Sequence, residues 1–164
     1  MYTAYLDTCI VGLIVNKAEA GLEQNAAIKL LQLYEKTKIN LVTSDTTLAK
    51  INKIPIDFRS NHKNIFLVLK NIPVCQQKRV MDLIGMGIIP FPREEPLFTK
   101  LKSIIPGDAD RQHIFNALVA KCQYFITTDI KTILIYRKTL EKEFNGFLAL
   151  KPSEAVSLFC TEGS

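Results

Sequence analysis

Asp7, Asp108, Asp110 and Asp129 are the side chains whose type and placement could do chemistry. Asp7 closes the apolar stretch from Tyr2 to Leu6. Asp129 closes the run Tyr124, Phe125, Ile126, Thr127 and Thr128, and between the two acids lies a helix opened by Asp108 and Asp110 just after Pro106 and Gly107. In a parallel α/β sheet the carboxyl ends of strands and the starts of helices gather along one edge, where ligands bind. Carboxylates gathered there suit a hard divalent cation such as Mg2+ or Mn2+, with water filling the remaining positions. Such an ion acidifies a bound water and offsets charge on a phosphate, which is the chemistry of phosphodiester hydrolysis.

Each acid also has a plainer explanation. Asp108 is a good N-cap, since its carboxylate can accept from a free amide of the first turn, and Asp129 alone could be a turn residue. Their joint placement at two strand ends and one helix start is harder to explain by capping. His113 lies three residues after Asp110 and so on a neighbouring part of the same helix face. With no second histidine at ligand spacing, it reads as a packed or hydrogen-bonding side chain, and His62 has no partner pattern. No serine and no cysteine falls in a nucleophile elbow, and neither a phosphate-binding loop nor a dinucleotide fingerprint is present.

The elements that must carry these acids alternate between strand and helix. After Tyr2 to Leu6, the residues Ile10 to Val15 read as a helix or helical turn. Leu22 to Lys36 reads as an amphipathic helix with Leu22, Ala26, Leu30, Leu33 and Tyr34 inward. Ile39 to Thr43 is a second strand, and Ser44 or Asp45 caps a helix running to about Lys53 and ended by Pro55. Phe58 to Asn71 is expected as one helix with Ile65, Val68 and Leu69 inward. A helix over 76–85, a short strand over 88–91 and a helix between Glu94 and Ile105 follow. Downstream of Asp129 come a short helix or turn over 130–138, an edge strand from Phe147 to Leu150 and a terminal helix from Ser153 to Phe159 with Pro152 near its start. The pattern predicts an α/β fold, a three-layer sandwich with a mostly parallel central sheet of about four or five strands flanked by helices.

A chain of 164 residues with 48% apolar and 23% charged residues suits one domain, 1–164, with a full core. The net charge of +5 gives a mild bias toward anionic partners, although a well-solvated lysine surface explains it equally well. Cys9, Cys75, Cys122 and Cys160 are widely spaced, so neither a disulfide framework nor a zinc ribbon is suggested. The start of the chain lacks a basic segment before its apolar run, and no apolar run reaches the roughly 18 to 20 residues that cross a bilayer. The expectation is a cytoplasmic protein with no membrane segment.

The motifs YLDT at 5–8, TSDTTLAKINKIP at 43–55, DRQH at 110–113 and FITTD at 125–129, in that order, resemble those of PIN domains. Many PIN domains are metal-dependent ribonucleases, and some are toxin components of bacterial toxin and antitoxin pairs. The resemblance spans most of the chain. It implies Asp7, Asp110 and Asp129 as acidic site residues for Mg2+ or Mn2+, with Ser44 and Thr128 as polar neighbours; Asp108 is an auxiliary candidate from the pattern of acids alone. It also implies an RNA substrate, an antitoxin-like protein partner and a homodimer.

One position departs from the family, because Lys50 stands where the helix after the second strand usually presents a glutamate. A single charge pair about 4 Å apart is worth roughly 4 kcal/mol at an effective dielectric near 20, so metal affinity should fall. Three outcomes stay open at this point. Asp45 or Asp108 supplies the missing oxygen, Lys50 turns to solvent, or the domain is catalytically silent, with Lys50 neutralising the acids and the fold kept for binding RNA or protein. A nucleotide enzyme of the Rossmann type is less favoured, since no glycine-rich loop follows the first strand.

Overall fold

The computed structural model describes residues 1–16, 21–75 and 96–161. The helix expected over 76–85 and the strand over 88–91 lie outside these residues. The described elements are β1 (Tyr2–Leu6), α1 (Thr8–Val15), α2 (Leu22–Glu35), β2 (Ile39–Val42), α3 (Asp45–Asn52), α4 (Ile56–Asn61), α5 (Lys63–Lys70), α6 (Pro96–Lys102), α7 (Asp108–Val119) and β3 (Tyr124–Ile126). A short 3-10 turn (Leu134–Tyr136), α8 (Arg137–Glu143), β4 (Leu148–Leu150) and α9 (Pro152–Thr161) complete them.

The four strands form one parallel sheet in the order β2-β1-β3-β4, as the alternating pattern predicts. Strand residues alternate between faces, and each face carries its own core. Ala4, Leu6, Tyr124 and Ile126 pack with Ile10, Ile14, Leu30, Ile51, Leu69 and Phe159 from α1, α2, α3, α5 and α9. Tyr5, Phe125 and Ala149 stand in register across the other face and pack with Leu101, Ile105, Ile114, Ala117 and Leu140 near and on α6, α7 and α8. The result is three layers with the sheet in the middle. Strand order reverses at the β1–β3 boundary, so the crevice beyond their carboxyl ends is the switch point at which such sheets bind ligands.

Several boundaries differ from expectation. The helix predicted over Phe58 to Asn71 is two helices, because His62 (φ −128°, ψ 45°) leaves the helical region and lays its ring 4.6 Å from that of Phe58. Leu22 is the first residue of α2 and is 73% exposed, so the buried stripe of that helix begins at Ala26. Glu23, one residue on, accepts from the amide and hydroxyl of Ser153 at 3.0 and 2.6 Å. It thereby satisfies the start of α9, where free amides attract a carboxylate.

Gly12 lies inside α1 with an ordinary backbone conformation, and a Cβ built there would meet only the flexible end of Lys50, at 3.2 Å. Gly12→Ala is therefore expected to stabilise the fold by up to about 1 kcal/mol in urea unfolding, the helix-propensity difference, at the cost of shifting the Lys50 ammonium. A loss of stability instead would show that Lys50 cannot move.

Candidate functional site

Asp7 follows β1 directly and caps α1. It is 6% exposed, and donors surround its carboxylate. Oδ1 accepts from the Thr8 amide at 2.6 Å, and Oδ2 accepts from the Thr127 hydroxyl at 2.7 Å and the Cys9 thiol at 3.1 Å. Thr127 is fully buried just past β3, and its hydroxyl oxygen also accepts from the Asp129 amide at 3.0 Å. One hydroxyl thus ties the acid after β1 to the backbone of the acid after β3. Asp129 turns Oδ1 back onto the Thr132 amide at 2.9 Å, capping the turn that follows.

The third acid comes from α7, whose cap is Gly107 rather than Asp108. Asp108 is inside the first turn, with its side chain 93% exposed and paired to Arg111 at 2.7 Å, so it contributes no side-chain cap. The reason lies in Arg111, which is buried and also donates to the carbonyls of Ile105 and Pro106 at 3.1 and 2.9 Å. That guanidinium fixes the loop leading into α7 and draws Asp108 outward. Asp110 is half-buried and makes no hydrogen bond or ion pair among the described residues. Its Oδ2 lies 2.9 Å from where a Cβ on Gly107 would stand, so only glycine leaves the carboxylate its present position.

Polar side chains around the starts of α1 and α3 and on α7 bond to one another and to the sheet. Ser44 caps α3, accepting from the Thr47 amide at 3.3 Å, and Thr47 shares a hydroxyl hydrogen bond of 2.8 Å with Thr8. Asp45, the first residue of α3, is exposed. His113 is half-buried and its Nδ1 is 2.8 Å from the Tyr5 hydroxyl. Burial pushes the Tyr5 phenol well above its usual range, and the nearby Asp7 charge pushes the same way, so it remains an O–H that can donate to the imidazole. Thr128 faces Cys9 instead of an acid, through its amide at 3.3 Å and its hydroxyl at 3.4 Å.

Lys50 forms no ion pair with an acid among the described residues. It is exposed, and its Nζ donates to the Thr8 carbonyl at 3.2 Å.

Thr127 and Cys9 are the two partners of Asp7 that sequence reasoning missed as site residues. The available signal was weak. Thr127 is a hydroxyl at the end of an otherwise apolar strand run, and Cys9 stands two residues beyond a strand-terminal acid. Burial, and then the Asp7 charge, raise the Cys9 thiol to about 11 from an ordinary value near 9, so it stays protonated and donates to Asp7. A raised folded-state value means the native protein holds its proton longer than the unfolded chain. The stabilisation is whole below about pH 9 and is lost as pH climbs toward 11. At pH 8, iodoacetamide is expected to modify the exposed Cys160 well before Cys9 or the buried Cys122, whose thiol burial lifts to about 12. Peptide mass mapping after a short pulse checks this, and early labelling of Cys9 would refute its bonded state.

In donor type these carboxylates fit a hard divalent cation: among the described residues Asp110 has two uncommitted oxygens and Asp129 has one, and Asp7 is held in orientation by its donors. Among the described residues, however, no three His, Cys, Asp or Glu side chains stand together as a ready metal cage. No helix among those residues is long and apolar enough to cross a membrane.

No family model matches the chain and no curated protein matches it. Among solved structures it is similar to a crystal structure of VapBC2 from Rickettsia felis bound to a DNA fragment from their promoter. Identity is 16%, coverage 90% of this chain and 97% of that one, and the TM-score 0.46. A likeness at that level establishes neither the family nor an activity.

Proposed function

We propose that this chain is a PIN-like ribonuclease that hydrolyses RNA phosphodiester bonds at the switch-point edge of its sheet, using Mg2+ or Mn2+ held by Asp7, Asp110 and Asp129. One observation carries the reading: Asp7 is buried and oriented by three donors at the β1–β3 boundary, and Thr127 couples it to Asp129. A buried carboxylate at a helix start has a structural use as well; the shared site is supported by Thr127, whose hydroxyl donates to Asp7 and accepts from the backbone amide of the second strand-end acid, Asp129. The ion, when bound, would supply an activated water and offset charge on the phosphate. Asp108, turned to Arg111, is left out of the ligand set in this proposal. Without a ready cage, metal binding would draw the acids together, so it should raise the melting temperature as well as permit cleavage.

The second reading is a catalytically silent module that binds RNA or protein, favoured by Lys50 in the place of the family's glutamate. Cleavage of an end-labelled RNA with Mn2+, Mg2+ or EDTA separates the two, using the wild type, Asp110→Asn and Lys50→Glu. Metal-dependent cleavage lost in Asp110→Asn supports the nuclease. Cleavage only in Lys50→Glu moves the assignment to the silent module, and cleavage that survives Asp110→Asn or EDTA sinks the metal site. The resemblance to toxin components adds an antitoxin-like partner and a homodimer to the proposal; light scattering of the purified chain tests the dimer.

A further inference from the structure

The departure at Lys50 acquires a use when its surroundings are considered. Between α1 and the α3–α4 connection runs a groove of about 230 Å³ whose lining includes Val11, Gly12, Val15, Ile54, Pro55 and the two lysines 50 and 53. Its floor is apolar, and its charge is all of one sign. Both lysines are exposed, and neither pairs with a carboxylate among the described residues. An ammonium has three donors; Lys50 spends one on the Thr8 carbonyl, which leaves two directed elsewhere. Gly12 makes that position available, since a Cβ there would crowd the Lys50 Nζ. The Thr8–Thr47 hydrogen bond joins α1 and α3 near their starts. Lys50 is anchored to the carbonyl of Thr8, the residue next to Asp7.

We propose that this groove seats one nucleotide of a single-stranded RNA, with the base on the apolar floor and the flanking phosphates on Lys50 and Lys53. The inference rests on the ribonuclease reading for its choice of RNA. Below about 300 Å³ the groove is too small for a drug-sized ligand, and two uncompensated cations over an apolar floor match an amphipathic anion. Lys50 is then a substrate anchor standing outside the metal site, not a neutraliser of the acids.

The test is fluorescence anisotropy of a labelled single-stranded RNA in EDTA, so that binding is read without cleavage. It compares the wild type, Lys50→Met with Lys53→Met, and Lys50→Arg with Lys53→Arg, each first shown to unfold at the wild-type temperature. The double Met variant is expected to lose at least ~10-fold in affinity at low salt. Its slope of log affinity against log salt should become shallower by about 1.4, roughly 0.7 for each single-strand phosphate contact. The double Arg variant should bind as the wild type does, and an abasic strand should bind the wild type several-fold more weakly. Unchanged affinity and slope in the double Met variant overturn the proposal. So does a wild type that ignores RNA at low salt but binds polyglutamate, which would give the groove to an acidic protein segment. The two readings fail separately. Lysine-dependent binding with no cleavage under any metal removes the nuclease and keeps the groove. Metal-dependent cleavage with unchanged kcat and KM in the double Met variant removes the groove and keeps the nuclease.

Discussion

Asp7→Ala is expected to cost about 2–4 kcal/mol in urea unfolding and to abolish cleavage, whereas Asp7→Asn should abolish cleavage and leave stability within about 1 kcal/mol of wild type. The alanine removes the cap of α1, worth about 1 kcal/mol, and strands the buried Thr127 hydroxyl, the Cys9 thiol and the Thr8 amide. Asparagine keeps an oxygen for the Thr8 amide, and its amide group faces a hydroxyl and a thiol that can turn to accept. Folding and chemistry are thereby separated at one residue. An Asn variant as unstable as the Ala variant would show that the charge itself, at the positive end of α1, stabilises the fold. An Asn variant that still cleaves would remove Asp7 from the site.

The second large effect lies beneath the site. Tyr5 is fully buried, its ring stacked on Phe125 with centroids 5.1 Å apart and planes 7° from parallel, and its hydroxyl meets His113. Tyr5→Ala is expected to cost about 3–5 kcal/mol by opening a cavity between sheet and α7. Tyr5→Phe keeps the stack and loses only the hydrogen bond, about 1 kcal/mol. Urea midpoints of the two variants check this. If Phe were as costly as Ala, the hydroxyl network and not the ring packing would hold α7 to the sheet.

How much of this could be read from the chain depends on how local each cause is. The ends of β1 and β3 were legible because apolar runs stop at an acid, and Asp7 and Asp129 were located from those stops. α3 was legible from Ser44 and Pro55, which mark its two ends by capping and by steric exclusion. α8 was anticipated only as a short helix or turn ending near 138, since among its residues only Leu140 is buried, too sparse a stripe to show a period. The break at His62 has no Gly or Pro to announce it. Asp108 looked like a cap because capping is judged from near neighbours, while its actual partner, Arg111, is held by carbonyls of the preceding loop. The bond of Thr127 to Asp7 joins positions brought together only by strand order, and no local pattern encodes it, whereas Cys9 reaches Asp7 from two residues on, within the first turn of α1.

The strand order has a consequence for synthesis on the ribosome. β1 meets β2 within the first quarter of the chain, but its other neighbour, β3, is made only after three quarters of the residues have been added. As the polypeptide emerges, the β1–β2 pair with α1 and α2 can form, yet one side of β1 stays an open edge, with unpaired amides and carbonyls, until Tyr124–Ile126 arrives. Asp7 spends that interval without Thr127, and a nascent chain ending before β3 holds Asp7 and Asp110 but neither Thr127 nor Asp129.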